Sequence, residues 1–205
     1  MLHITKQVVV TGIAGTIIGA AAILGIRYFA YSPEKVHYHA NFNVVINGQR
    51  EAFKGPMYYE EEGGGSGVCS LDTAMTPSER AHMHDNVSDV VHVEDHAVTW
   101  GQFFQNLGWV VDDKLIQSPK NLYQTDETHK ITFLINGHEM QDISSEVIRD
   151  KDRLLVDFGD TNDVTLQQEF NAVPATAIKY DEGKDPASCM SNSKPTMQER
   201  MKHLL

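Results

Sequence analysis

Between Lys6 and Arg27 the chain runs for 20 residues, Gln7 to Ile26, without a charge (QVVVTGIAGTIIGAAAILGI). At about 1.5 Å per residue a helix of this length reaches about 30 Å, the hydrocarbon thickness of a bilayer. Its apolar residues fall on every side, so it lacks the single stripe by which a surface helix packs on a core. The segment reads as a transmembrane helix. A cleaved signal peptide is the alternative, but it needs small residues at alternate positions and Tyr28-Phe29-Ala30 supplies one. The flanking charges nearly balance, so orientation follows from the very short leading tail and the long polar remainder. These suit a single-pass signal anchor in the cell membrane, with residues 31–205 extracytoplasmic. Gly15 and Gly19 form a GxxxG pair, a spacing that lets a partner membrane helix approach closely.

The remainder carries the marks of an α+β fold. Val36–Asn47 alternates strictly, with Val36, Tyr38, Ala40, Phe42, Val44 and Ile46 on one face and His37, His39, Asn41 and Asn43 on the other. That is the period of a half-buried strand. Asn47-Gly48 is a tight-turn signal, so Gln49–Phe53 is expected to return as a hairpin. Residues 60–67 (EEEGGGSG) read as a flexible loop. Thr76-Pro77 opens a short helix. Asp89–Val93 reads as a strand, Trp100–Leu107 as a helix capped by Thr99 and stopped by Gly108, and Lys130–Asn136 as a strand ending in a second Asn-Gly turn. Arg153–Phe158 reads as the last strand, and Val164–Ala172 as a short helix capped by Asp163. The order suggests a β-grasp-like domain, a small mixed sheet with one packed helix; a β-sandwich would leave the Trp100 helix without a place. The expected division is a signal-anchor helix over 1–30, a His-rich domain over 31–160, and a short helix with an extended C-terminal tail over 161–205.

Acidic residues outnumber basic ones 28 to 17, for a net charge of −11. That excludes a nucleic-acid binder, which needs a cationic face for phosphates. There are ten histidines, and His37, His39, His82, His84, His92 and His96 lie within one stretch of 60 residues. In a strand, His-x-His puts both imidazoles on one face about 7 Å apart at Cα, close enough to converge on one ion. His37/His39 and His82/His84 have this spacing, and His92, Glu94 and His96 continue it while Val91 and Val93 take the other face. Neutral imidazole is the commonest ligand for zinc, copper and nickel. His37, His39, His82, His84, His92 and Glu94 are therefore the candidate metal residues, with Asp85 and Glu94 also suited to orienting an imidazole. Met83 is a thioether that suits Cu(I) and equally a packing residue. His3, His129, His138 and His203 are isolated and read as surface residues.

The chain holds two cysteines, Cys69 and Cys189. In an exported domain they suggest one disulfide; a Cys69 thiolate ligand or two free thiols are the other readings. No nucleophile elbow, P-loop or HExxH motif is present.

Together these residues resemble an uncharacterised family of membrane-anchored exported proteins from bacteria and archaea. The shared pattern is His37-Tyr38-His39, Asn47-Gly48, Cys69, His82-Met83-His84-Asp85, His92-Val93-Glu94, Thr99-Trp100-Gly101-Gln102-Phe103-Phe104 and the Asp185–Cys189 "DPASC". The resemblance covers roughly residues 35–190. It implies a common fold and a metal site and brings no established reaction. This chain departs from the pattern by a longer insertion between Cys69 and His82.

The resulting expectation is a membrane-anchored extracytoplasmic protein that binds copper or zinc through a histidine cluster. The alternatives are an accessory subunit of a larger membrane complex, with structural histidines, and a zinc-dependent hydrolase in which Glu94 or Asp85 is the general base.

Overall fold

Both Asn-Gly dipeptides turn the chain with positive φ at each residue: 50° and 73° at Asn47-Gly48, 53° and 83° at Asn136-Gly137. That backbone matches the twist of paired strands, and asparagine followed by glycine adopts it at the least steric cost. A computed structural model describes residues 6–32, 36–59, 76–84, 86–181 and 197–204. Its contacts divide the chain into two units, Lys35–Ser191 and Met1–Glu34 with Asn192–Leu205.

In the larger unit, β1 (Tyr38–Ile46), β2 (Gln49–Arg50), α2 (Pro77–Arg80), β3 (Ala81–His82) and β4 (Val90–Val93) come first. Next are α3 (Trp100–Asn106), β5 (Val110–Val111), β6 (Leu115–Gln117), β7 (Leu122–Gln124), β8 (Lys130–Ile135) and β9 (His138–Met140). β10 (Arg153–Gly159), α4 (Asp163–Asn171) and α5 (Ala177–Asp181) complete it. The main sheet runs β3-β4-β1-β10-β8-β9, with β2 also paired to β1. The first and last long strands, β1 and β10, are parallel neighbours, and their outer partners are antiparallel. β5, β6 and β7 form a separate three-stranded sheet. Its strands of two or three residues are too short to show a period, and the sequence reading does not foresee it.

α2 and α3 begin with complete capping boxes, Thr76 with Glu79 and Thr99 with Gln102. Each box satisfies two of the backbone N–H groups that a helix start leaves over. Gly108, at φ 73°, stops the chain just after α3, as expected. α4 starts as expected, but its cap is Asn162 rather than Asp163, which is the first helical residue.

Ala40, Phe42 and Val44 of β1 join Val91, Val93, Phe133, Leu154 and Val156 on one face of the sheet, under Trp100, Phe103 and Phe104 of α3. The opposite face is also covered. Val45, Leu134 and Leu155 pack against Leu166, Phe170 and Val173. The boundary read at residue 160 therefore lies inside this unit. Asn41 shows how the covering segment is held. Its Oδ1 accepts from the N–H of Thr176 and Ala177, and its Nδ2 donates to Asp89 O and Thr176 Oγ1. Asn41, Asn43 and His39 are thus buried, where strand periodicity alone had placed them on the wet side. The extended tail expected from Asp181 falls mostly outside the described residues.

Gly101 shows why the α3 segment carries glycine. A Cβ there would meet the Ser144 carbonyl oxygen at 2.5 Å. Gly101→Ala is expected to destabilise the domain by about 2–3 kcal/mol, as an overpacked core site does, and chemical denaturation would read the loss. An unchanged midpoint would mean that helix and loop separate freely.

The smaller unit holds α1 (Lys6–Ala30) and α6 (Met197–Lys202). Thr11–Ala30 is long and apolar enough to cross a membrane, and none of it is buried within the chain. It meets the physical requirements of a membrane anchor or a signal sequence.

Candidate metal centre

Strand register brings the histidines together. His39 on β1 lies directly opposite His92 on β4, and His92 lies opposite His82 on β3. Three histidines thus form a row across adjacent strands. The rows beside it, Ala40 with Val91 and Val93 with Ala81, face the α3 core instead. His37 and His84 stand two residues along from His39 and His82. The period of two therefore aims all five imidazoles at one side of the sheet.

His92 is the hub. The rings of His37, His39, His84 and His82 lie 4.5, 4.7, 4.8 and 4.9 Å from its ring. His39, His82, His84, His92 and Glu94 are buried, and His37 is half-buried. Met83, between two histidines, points the other way and is fully buried in the core. It packs and is not aimed at the cluster.

Two carboxylates orient the central pair. His39 Nδ1 lies 2.8 Å from Asp181 Oδ1, and His92 Nε2 lies 3.0 Å from Glu94 Oε1. A carboxylate only accepts, so each histidine donates through that nitrogen. Its other nitrogen then carries a lone pair. Those other nitrogens, His39 Nε2 and His92 Nδ1, lie 3.0 Å apart. Two imidazole lone pairs then face one another, an arrangement that a shared cation could satisfy. The separation is also what two ligands on one ion show, since bonds of about 2.0–2.1 Å at a right angle place them about 2.9 Å apart. His84 Nε2 approaches the same His92 Nδ1 at 3.0 Å.

A proton is a poor substitute for a metal here. Burial, then the neighbouring His82, His39, His37 and His84, push the His92 pKa from 6.5 down to about 2. Burial also lowers His39, with His37 and His84 adding to it, although its bond to Asp181 pulls the other way. His92 and His39 are thus held toward the neutral form, the form that ligates metals.

His37, His39 and His92 each offer a nitrogen within 4.8 Å of the others. One point then lies within about 2.8 Å of all three, and small side-chain rotations close that to the metal–nitrogen distance. These three histidines could hold a metal ion. His82 and His84 flank them: His82 donates from Nδ1 to Ser78 O and stacks on His92. Glu94 supports His92. Asp85, Cys69 and Cys189 lie outside the described residues. His96 and His138 are exposed, and His129 pairs with Asp126 and stacks on Phe158, apart from the cluster.

Asp181 and Tyr180, on α5, escaped the sequence reading. Asp181 lies 142 residues from His39, and no periodicity links them. Its partners fix it. Burial alone would raise its pKa, but hydrogen bonds from His39 and from Lys151, whose Nζ is 3.2 Å away, hold the carboxyl below its ordinary range. Tyr180 lies near the His39 ring and, with His84, Val87, Val90 and His92, lines a cavity just large enough for about one water.

Carboxylates that orient a ligating histidine are typically worth 10–100-fold in metal affinity. Asp181→Asn should weaken metal binding by about that factor with little change in thermal midpoint, as competition with a chelator would measure. Unaltered affinity would remove Asp181 from the site.

No family model, curated protein or solved structure matches this chain.

Proposed function

We propose that this protein is a membrane-anchored, extracytoplasmic domain that binds a transition-metal ion, copper or zinc. His37, His39 and His92 would be the ligands, with His84 or His82 available as a fourth. Glu94 and Asp181 would hold the ligand tautomers. The observation that carries the reading is the 3.0 Å approach of His39 Nε2 to His92 Nδ1, with the other nitrogen of each ring facing a carboxylate. An all-imidazole donor set suits Cu(II) and Zn(II) better than hard cations. The test is titration of the full chain in detergent micelles with each ion against a chelator of known affinity. Stoichiometric uptake of one ion is expected. No uptake at micromolar metal would end the proposal.

The water-sized cavity beside His84 and His92 favours a second reading, a zinc site with one position open to water. In that reading an Asp85 or Glu94 carboxylate would serve as general base. Hydrolytic activity in the zinc-loaded protein, lost with the metal, would support it.

The finer structural assignments belong to the same proposal. Parallel central strands that are the first and last of the sheet in chain order, with α3 lying between β4 and β8 in the chain, support a β-grasp-like arrangement. The unburied apolar α1 supports a single-pass anchor, its Gly15 and Gly19 offering a contact for a partner helix. An accessory role in a membrane complex would use that contact. A Cys69–Cys189 disulfide would fit the oxidising side of the membrane. The motif set from His37 to Cys189 supports kinship with the exported family that it resembles.

A further inference from the structure

The smaller unit has a feature that an anchor helix alone does not need. The short helix α6 is tied to the last turn of α1. Arg200 donates from Nη1 to Tyr28 O at 2.7 Å and to Phe29 O and Tyr31 O at 3.4 Å. Its guanidinium also sits 5.6 Å from the centre of the Tyr28 ring. In return, Arg27 donates to Leu204 O at 3.3 Å, and His203 stacks on Tyr31 at 4.2 Å. The last carbonyls of a helix carry its negative partial charge, and cations there are favourable. Two arginines and two ring contacts thus set the level of α6 along the α1 axis.

That level has a physical meaning if α1 spans a bilayer. The uncharged run ends at Ile26, about 30 Å from its start, and residues 28–31 follow at headgroup depth. Tyr28, Phe29 and Tyr31 are the aromatic residues that such a boundary favours. Met197 and Met201, one helical turn apart on one face of α6, are 73% and 55% exposed, and Phe29 is 81% exposed. Arg27, Arg200 and Lys202 bring basic charge to the same level.

From this we infer that α6 is a second membrane contact, a short amphipathic helix lying in the bilayer interface. Its Met197 and Met201 enter the boundary of the acyl region, and its basic residues meet anionic headgroups. The occupant of the exposed face is the lipid bilayer that surrounds α1, continuous with the surface of the span itself. The chain then meets the membrane through α1 and again through α6. This inference rests on the reading of α1 as a membrane span.

The experiment uses the full chain in vesicles of mixed zwitterionic and anionic phospholipid. An environment-sensitive fluorescent amino acid replaces Met201 in one sample, Ile17 in a second and Thr128, exposed on the larger unit, in a third. Quenching by nitroxide-labelled lipids is compared with quenching by aqueous iodide. The probe at 201 is expected to be quenched by nitroxide near the headgroup and to show several-fold weaker iodide quenching than the probe at 128. Arg200→Gln should restore most of the iodide quenching at 201 by releasing α6. If the probe at 17 meets lipid nitroxide but the probe at 201 is as open to iodide as that at 128, this inference alone is overturned. If the probe at 17 meets no lipid, the span itself fails, and the inference with it.

Discussion

His92→Ala is expected to reduce metal affinity by at least about a thousandfold and to leave the domain folded. The size follows from its place as hub. The substitution removes one ligand of the three, and it also removes the ring on which His82 stacks and toward which His39 and His84 point. A typical structural site binds zinc with about 10–16 kcal/mol, so losing one ligand of three costs several kcal/mol. The loss is in binding and not chiefly in folding, because the larger apolar core, under α3, lies on the other face of the sheet and His92 belongs to neither apolar cluster. Removing a buried imidazole from a crowded cluster also relieves mutual repulsion. Calorimetric titration of wild type and variant would measure the difference, and circular dichroism would verify the fold. Retention of wild-type affinity would place the metal elsewhere or nowhere.

The second large effect is acid lability of the metal-free domain. The His92 pKa is pushed from 6.5 to about 2 in the fold, and His39 is lowered as well. Between those values the unfolded chain binds protons that the folded chain refuses. Stability is therefore fully present above pH 6.5 and falls as pH drops below it. His92 contributes a loss of about 1.4 kcal/mol per pH unit below that point, and His39 acts in the same direction. Two pH units then cost about 3 kcal/mol for His92 alone, a large part of the stability of an ordinary domain. Glu169 works in the opposite sense. Burial, then the neighbouring Asp157, raises its pKa to about 7. Its contribution is complete below pH 4.5 and is lost as pH rises from there through 7, so it offsets His92 over that interval. The acid loss from His92 is therefore read in a Glu169→Gln variant, where stability is expected to fall as pH drops below 6.5. Bound metal adds to that slope, since protons and metal compete for the same nitrogens. Urea unfolding of chelator-treated protein at a series of pH values would show it. A flat profile from pH 7 to 5 in the Glu169→Gln variant would contradict a buried, neutral His92.

Much of the site was legible from local spacing. His-x-His in an alternating strand aims both imidazoles at one side, whatever the fold around them, and Val91 and Val93 show which side of β4 is apolar. The Asn-Gly turns, the two capping boxes and the Gly108 stop are likewise local chemistry. Asp181 was not legible, because its role comes from α5 lying across β1, anchored by Asn41, and no short-range pattern encodes that crossing. The β5–β7 sheet was missed for a related reason: its strands are shorter than the period that would reveal them. Asn162 was passed over as a cap because Asp163 beside it is an equally good capping residue, and only backbone geometry separates the two.

The amino-acid sequence by itself therefore determined which residues would carry the chemistry and which segment would be apolar throughout. Those properties depend on residue type and on periods of two and 3.6. Only the tertiary structure decided that three strands place His82, His92 and His39 in register. It also decided that a covering helix buries them and that Asp181 and Glu94 turn the two central rings so that their lone pairs meet. Such convergence depends on contacts between residues far apart in the chain, and those contacts are settled by packing the whole sheet and not by any stretch of it.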